Sequence, residues 1–276
     1  REFFLSRNMP EIPHFGPFSV SVPGAVDGWA TLLDRYGSMT LAQALAPAIE
    51  HADNGFPVTE VIAGQWAHYG AAASGRDPEF ARAYFIAEAR GVRPPAHGEV
   101  FVNKPLAATL RRIASGGRDA FYKGDIARRI VERLNRLGWP MSLEDLAYQR
   151  SDWVEPISTT YKGYQVHELP PNGQGMAALQ MLNVLEGFDL KKLGHNTAPY
   201  LHLLVEAKKL AFADLYAWLA DPQKARLPVE QIISKEYARR QRARINPKRA
   251  AAAVSSGIPD FDWRLRSNTV YLTVVD

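Results

Sequence analysis

The stretch Ser267-Asn268-Thr269-Val270-Tyr271-Leu272-Thr273-Val274-Val275-Asp276 sets Val270, Leu272 and Val274 in alternation with Tyr271, Thr273 and Val275. This β-branched, aromatic-rich pattern reads as a β-strand, and a strand needs pairing partners and a closing turn. The sequence stops at residue 276, so the strand is expected to belong to a sheet encoded only in part here. The plain reading is an ordinary strand cut by a fragment boundary. A sharper one makes Thr269 a nucleophile that is silent while its amine is held in a peptide bond. A threonine hydroxyl is weak and needs an adjacent base. Cleavage before Thr269 would free an α-amine of pKa roughly 7.7–8.0 as that base, so nucleophile and base would share one residue.

Composition narrows the alternatives. The chain has 276 residues, 46% of them hydrophobic and 22% charged, enough for one large globular domain or two small ones. No apolar run approaches the ~20 residues that cross a bilayer. The net charge is +4, and the basic residues gather in Arg111-Arg112 to Arg136 and in Arg239-Arg240-Gln241-Arg242-Ala243-Arg244. These runs read as solvated helix faces, and no aromatic platform accompanies them, so nucleic acid is not an expected partner. Cysteine is absent, which excludes disulfides, thiolate metal sites and a cysteine nucleophile. The sequence opens at Arg1-Glu2-Phe3-Phe4 without a methionine, and the compartment stays open.

Helical and extended segments alternate without a low-complexity linker. Phe18 to Val22 alternates and ends at Pro23-Gly24, predicting a strand and turn. Helices are predicted over Ala25 to Tyr36, over a stretch capped by Thr40 and running to about Asp53, over Lys104 to Ser115 closing at Gly116-Gly117, and over Asp125 to Leu137. Ser142 with Asp145 looks like a capping box. Strands are expected near Ile157–Tyr161 and Tyr164–Leu169. Pro170-Pro171-Asn172-Gly173-Gln174-Gly175 then enters an apolar helix from Met176 to Glu186; this loop is a tight turn first and an anion-binding helix N-terminus second. In the long helix from Pro199 to Leu219, Leu203, Leu204, Ala207, Leu210, Ala211 and Asp214 recur at helical spacing. Ala250 to Ser256 is the expected mobile loop.

Other catalytic schemes find little support. There is no HExxH, and His202 with Glu206 lacks a second histidine, so no metal is expected. His51, His68 and His97 read as surface or cap residues. No G-x-S-x-G elbow, Walker A or G-x-G-x-x-G is present. Asp214 and Asp221 share a helical face, which reads as a solvated edge.

The segments together resemble the large-subunit portion of the γ-glutamyltransferase (glutathione hydrolase) and cephalosporin-acylase-like family of N-terminal nucleophile hydrolases. The resemblance covers essentially the whole chain. It is carried by Ser21-Val22-Pro23-Gly24-Ala25-Val26-Asp27-Gly28-Trp29, Leu45-Ala46-Pro47-Ala48-Ile49, Gly55-Phe56-Pro57-Val58 and Phe121-Tyr122-Lys123-Gly124-Asp125-Ile126-Ala127. Tyr161-Lys162-Gly163-Tyr164, the Pro170–Gly175 loop, Leu179 to Asp189 and Glu206 to Asp214 continue it.

The resemblance implies an α+β fold: an αββα sandwich of which this chain supplies the mostly helical part. Residues 1–268 would be a large-subunit region lacking its N-terminal part, and 269–276 the truncated first strand of a small subunit. It further implies Thr269 as catalytic nucleophile and Asn268–Thr269 as the processing bond, with no cofactor. The expected partners are the chain's own small subunit after self-cleavage and a γ-glutamyl or other acyl amide substrate.

Pairing Glu2, Phe4, Arg7, Pro13 and Gly16 with the family pattern puts the substrate-gripping arginine before residue 1, so Arg1 does not take that role. Oxyanion donors would also lie outside, and the chain by itself is expected to be inactive. Pro171-Asn172-Gly173-Gln174-Gly175 stands where PPSSGG is usual, and Asp214-Leu215 where Asp-Arg is usual; both point to the acylase-like branch. A non-catalytic scaffold and a helical interaction module are the competing readings.

Overall fold

The computed structural model describes residues 2–9, 11–13 and 15–258. Its contacts divide the chain into two units, residues 20–151 and residues 1–19 with 152–276. The strand expected at 267–276 lies outside the described residues.

The unit of residues 20–151 is mostly helical. The helix Ala25–Tyr36 stops where the Gly37 amide closes on the Leu33 carbonyl. Thr40 starts the helix Leu41–Asn54 through a reciprocal capping box: its hydroxyl accepts from the Gln43 amide at 3.2 Å while its own amide donates to Gln43 Oε1 at 2.8 Å. Gly55 ends that helix at φ +88°, and a Cβ there would lie 2.5 Å from Val100 Cγ1. A short ladder pairs Phe56–Pro57 with Val100–Phe101.

Two expectations change between residues 17 and 122, and one stretch gains an assignment. Phe18 to Val22 is no strand: Pro17–Ser19 forms a 3₁₀ turn, and Val20 and Val22 pack against the apolar core without a ladder partner. Alternation alone marks two faces; it does not supply the neighbour that a strand must bond. The helix expected to close at Gly116-Gly117 instead kinks there. Gly117 adopts φ +64° and ψ −160°, and the chain re-enters helix to Tyr122, giving Lys104–Tyr122 in all. Finally, a helix at Glu60–Arg76 and another at Pro78–Tyr84 fill a stretch without a sequence assignment. The first exposes Val61, Ile62 and Tyr69, so it lacks the clean apolar stripe that betrays a helix in sequence.

The basic run between Arg111 and Arg136 is largely paired. Arg111 bonds Asp53, Arg112 reaches Asp125 at 2.8 Å, and Arg133 reaches Asp77 at 2.8 Å and Glu79 at 3.2 Å. Arg118 goes further inward. Its Nε donates to Asp27, whose side chain is 4% exposed, its Nη2 donates to the Gln149 carbonyl, and its Nη1 reaches Asp119 at 3.2 Å. Ser151 Oγ donates to the second Asp27 oxygen at 2.7 Å. Fully buried Tyr122 donates to the Pro23 carbonyl at 2.6 Å, accepts from the Asp27 amide at 3.1 Å, and lies 4.8 Å under the Arg118 guanidinium. Burial alone would raise the Asp27 pKa, but the bonds from Arg118 and Ser151 outweigh it and leave the carboxyl below its ordinary value. The Val22–Asp27 motif thus docks the first helix onto the kinked one beside a core of Val26, Leu45, Ile113, Tyr122, Ala127 and Leu146.

The other unit pairs Ile157–Tyr161 with Tyr164–Glu168 in an antiparallel hairpin. Lys162 at φ +51° and Gly163 at φ +88° make its two-residue turn, a twist that matches the strands. The helix Gly175–Leu185 packs against it, and the helices Ala198–Trp218 and Lys235–Arg242 pack against that helix. Among the described residues, no helix is long and apolar enough to cross a membrane.

Removing one partner of a buried ion pair strands the other in a poorly solvated site. Arg118→Met is therefore expected to lower stability by about 3–5 kcal/mol at neutral pH, measured by urea unfolding against wild type.

Candidate functional site

The loop Pro170–Gln174 leads from the hairpin into the helix Gly175–Leu185. A Cβ on Gly175 would sit 2.6 Å from Glu168 Cβ and 2.9 Å from the Leu169 carbonyl oxygen. Close packing against the hairpin thus accounts for this glycine, in keeping with the tight-turn reading. Asn183 on the same helix ties two neighbours, accepting from Thr159 Oγ1 at 2.7 Å and donating to the Ile233 carbonyl at 2.6 Å.

The electrostatic centre of this unit is Asp214, which is fully buried on the helix Ala198–Trp218. Its Oδ2 accepts from Gln180 Nε2 at 2.5 Å, Tyr237 Oη at 2.8 Å and Gln241 Nε2 at 2.8 Å. Its Oδ1 accepts from Ser256 Oγ at 2.6 Å and the Gly257 amide at 2.9 Å. No lysine or arginine pairs with it among the described residues. Five donors crowd the roughly four acceptor sites of one carboxylate, and such bonds to an ionised group are short and strong. Burial and the adjacent Asp214 charge hold the Tyr237 phenol well above its ordinary pKa, so it remains a donor. The expectation of a solvated edge is overturned for Asp214, whereas Asp221 caps the turn after this helix through the Gln223 amide at 2.8 Å.

Residues 250–258 carry no regular structure, yet they are bonded along their length. Glu206, only 2% exposed, accepts from the Ala251 amide at 3.2 Å and from Lys209 Nζ at 2.7 Å. Lys209 donates in turn to the Ala251 carbonyl at 2.7 Å. Arg244 bridges Gln241 Oε1 at 2.6 Å and the Ser255 carbonyl at 2.8 Å. Trp218 Nε1 donates to Ser256 Oγ at 3.2 Å. Val254 and Ile258 pack against the two apolar clusters of this unit. The stretch expected as a mobile loop is a strap, because alanines, serines and a glycine leave its backbone open to charged side chains from the helix Ala198–Trp218 and from Arg244.

Asn268 and Thr269 lie outside the described residues. Asn268 follows Ile258, the last described residue, by ten positions. His202 Nε2 lies 2.8 Å from the Asn246 carbonyl oxygen, and no cluster of three metal-ligating side chains exists among the described residues. Gln180, Tyr237 and Gln241 escaped the sequence reading. Asp214 did carry a signal, since it continues the Leu203, Ala207, Leu210 register and an acid there must point inward.

The sequence model of the gamma-glutamyltranspeptidase family matches residues 1–276. The chain belongs to the gamma-glutamyltranspeptidase family. It is 38% identical over 261 residues to the glutathione hydrolase-like YwrD proenzyme of Bacillus subtilis, covering 94% of this chain and 47% of that protein. It is 36% identical over 265 residues to the acylase ACY 1 proenzyme of Pseudomonas sp. strain SE83, covering 95% of this chain and 45% of that protein. The crystal structure of Helicobacter pylori gamma-glutamyltranspeptidase superposes with a TM-score of 0.77 at 30% identity, covering 88% of this chain and 69% of that one. The chain therefore spans less than half the length of these two curated relatives. Its mixed helix-and-sheet fold agrees with membership of the family. Leu215, where the sequence carries leucine after the aspartate, is 2% exposed in a cluster with Met176, Ala177, Trp218 and Ile232.

The strap gives a pH-dependent expectation. Burial pushes the Glu206 pKa up, but Lys209 and the Ala251 amide pull it further down, leaving it below its ordinary value. A lowered carboxylate contributes stability that is fully present above the unfolded-state value and is lost as pH falls through the folded one. Glu206→Gln should cost about 1–3 kcal/mol at pH 7. Urea unfolding across pH should show that difference shrinking below roughly pH 4.3.

Proposed function

We propose that this chain is the large-subunit region, residues 1–268, and the first small-subunit strand, residues 269–276, of a self-processing threonine hydrolase or transferase. The observation that carries the proposal is the family match over the entire chain, with Asn268-Thr269 following the strap and opening a strand-like run. Both curated relatives described above are named proenzymes, which favours activation by chain cleavage. The family's αββα sandwich is the proposed complete fold. The hairpin Ile157–Tyr161 with Tyr164–Glu168 supports it, since two strands alone are marginal and invite further ones.

In the proposed reaction, Thr269 Oγ attacks the Asn268 carbonyl carbon and the Asn268–Thr269 C–N bond breaks. The hydroxyl proton goes to the departing amine, and an ester remains. Water then hydrolyses the ester, releasing the Asn268 carboxylate and regenerating the Thr269 hydroxyl beside a free α-amine. In the mature protein that amine accepts the hydroxyl proton as Oγ attacks a substrate amide. The proton passes to the leaving amine, and the acyl-enzyme is released by water or a second amine. Nucleophile and base come from one residue, so the scheme requires no cofactor.

γ-Glutamyl amides such as glutathione are the proposed substrates. Acylase action on other side-chain amides is the second reading, favoured by the similarity to an acylase proenzyme and by Asp214-Leu215 in place of Asp-Arg. A non-catalytic scaffold is the reading to be excluded.

Intact masses and N-terminal sequencing of the full-length product should reveal a chain starting at Thr269, while Thr269→Ala stays whole. Wild-type protein that folds but remains uncut would return Thr269 to the role of a strand residue. With cleaved protein, faster turnover of a γ-glutamyl anilide than of a glutaryl anilide supports the first substrate reading; the reverse order supports the second.

A further inference from the structure

Residues 20–22 carry the pattern of a strand and none of its bonds. Val20 and Val22 pack against the apolar core of their unit while Ser21 between them is exposed, the alternation expected of a strand. The run contains no turn or bend, and the ring of Pro23 keeps Val22 out of the helical region. Among the described residues, no backbone group of Val20, Ser21 or Val22 makes a hydrogen bond. A groove of about 630 Å³ runs beside this segment, within the ~300–1,000 Å³ typical of ligand sites. The rest of its lining is Trp139-Pro140-Met141, Gln149 and the short helix Leu143–Tyr148, all of the same unit.

Two features of this lining select its occupant. Unpaired N–H and C=O groups along an extended run are complemented by another extended backbone, which repeats the same groups every ~3.3–3.4 Å. Charge is the second feature. Glu144 is exposed and has no ion-pair partner among the described residues, in a chain whose net charge is +4. Beside it, Asp145 Oδ2 accepts from the Ser142 amide at 2.8 Å and the Ser142 hydroxyl at 2.9 Å, which leaves Oδ1 for another donor. The cation on this side, Arg150, lies 5.5 Å over the Tyr148 ring. We propose that the groove binds an extended, basic segment of a partner protein as an added strand. Residues 20–22 pair with its backbone, its apolar side chains rest on Trp139-Pro140-Met141, and its basic ones reach Glu144 and Asp145. The inference does not depend on the role given to Thr269. Ladder bonds alternate along a strand, so in one register either Val20 and Val22 or Ser21 bonds the incoming backbone, never all three.

The test uses full-length protein and the labelled peptide acetyl-Val-Lys-Val-Arg-Val-amide, with binding followed by fluorescence anisotropy and amide hydrogen exchange read residue by residue. Saturable binding is expected. It should weaken at least about fivefold when two peptide amides are N-methylated and cease to donate. Glu144→Gln, at an exposed position, should weaken it about two- to fivefold, and Glu144→Lys should weaken it further. The acidic peptide acetyl-Val-Glu-Val-Asp-Val-amide should fail to compete. With peptide about tenfold above its Kd, exchange should slow about tenfold either at Val20 and Val22 or at Ser21. Absence of saturable binding overturns the proposal, as does equal binding of the acidic or the N-methylated peptide. Binding that leaves exchange at residues 20–22 unchanged overturns it too. Free arginine amide binding as tightly as the peptide would make the groove a cation site and remove the strand pairing. Amides of residues 20–22 that already exchange slowly in the protein alone would assign the edge to another part of the same protein, or to a second copy if sedimentation shows a dimer. Either result overturns the partner reading.

Discussion

A buried carboxylate with no cation beside it among the described residues must be stabilised by dipoles, and in the unit around Asp214 those dipoles come from two helices and an irregular segment. Gln180 arrives from the helix Gly175–Leu185, Tyr237 and Gln241 from Lys235–Arg242, and Ser256 with Gly257 from the strap. Each donor is correctly placed only if its element is. The charge therefore couples elements that apolar packing alone would let slide, because a methyl group tolerates a shift that a 2.5–2.9 Å hydrogen bond does not. Apolar clusters on either side, one containing Met176, Leu215 and Trp218 and the other Val184, Leu203 and Leu210, supply the burial that makes the constraint severe.

The other unit meets the same problem differently. Asp27 is buried beside an arginine, and Arg118 itself is held by the Gln149 carbonyl and stacked on Tyr122. The guanidinium is partly exposed, so its own desolvation is incomplete and the pair retains much of its attraction. A glycine kink at Gly117 makes this possible. An uninterrupted helix would carry Arg118 along the register of the preceding turns, whereas the break lets the following segment aim the arginine and Tyr122 at Asp27.

Local signals made much of this legible. Thr40 and Ser142 announce capping boxes, Gly37 and Gly55 end helices, and the hairpin turn at Lys162-Gly163 stands out between two alternating runs. The family motifs were legible as well, though their physical reasons were not: Asp27 stands in one of them, and nothing near it in sequence announces Ser151, 124 positions away, which donates to it in the fold. Long-range partners leave no local trace. That is why Phe18–Val22 passed for a strand, Gly117 for a helix end and the strap for a loose loop. Composition identified the strap as rich in small residues, and only charged residues distant in sequence turn that property into a tether.

The choice of neutral donors around Asp214 has a consequence that a lysine or arginine would remove. A single cation could neutralise the carboxylate from many positions on a long flexible stem, and the strap would then be dispensable. Amide, phenol, hydroxyl and backbone donors each contribute one directed bond, so the full set is needed, and two of its members, Ser256 and Gly257, come from the strap. Leu215 reinforces this arrangement. Immediately after Asp214 the side chain joins an apolar cluster, which keeps a second charge out of the site and leaves Asp214 dependent on the strap. The carboxylate on the long helix thus ties the packing of the neighbouring helices to the strap, because one set of directed bonds serves both.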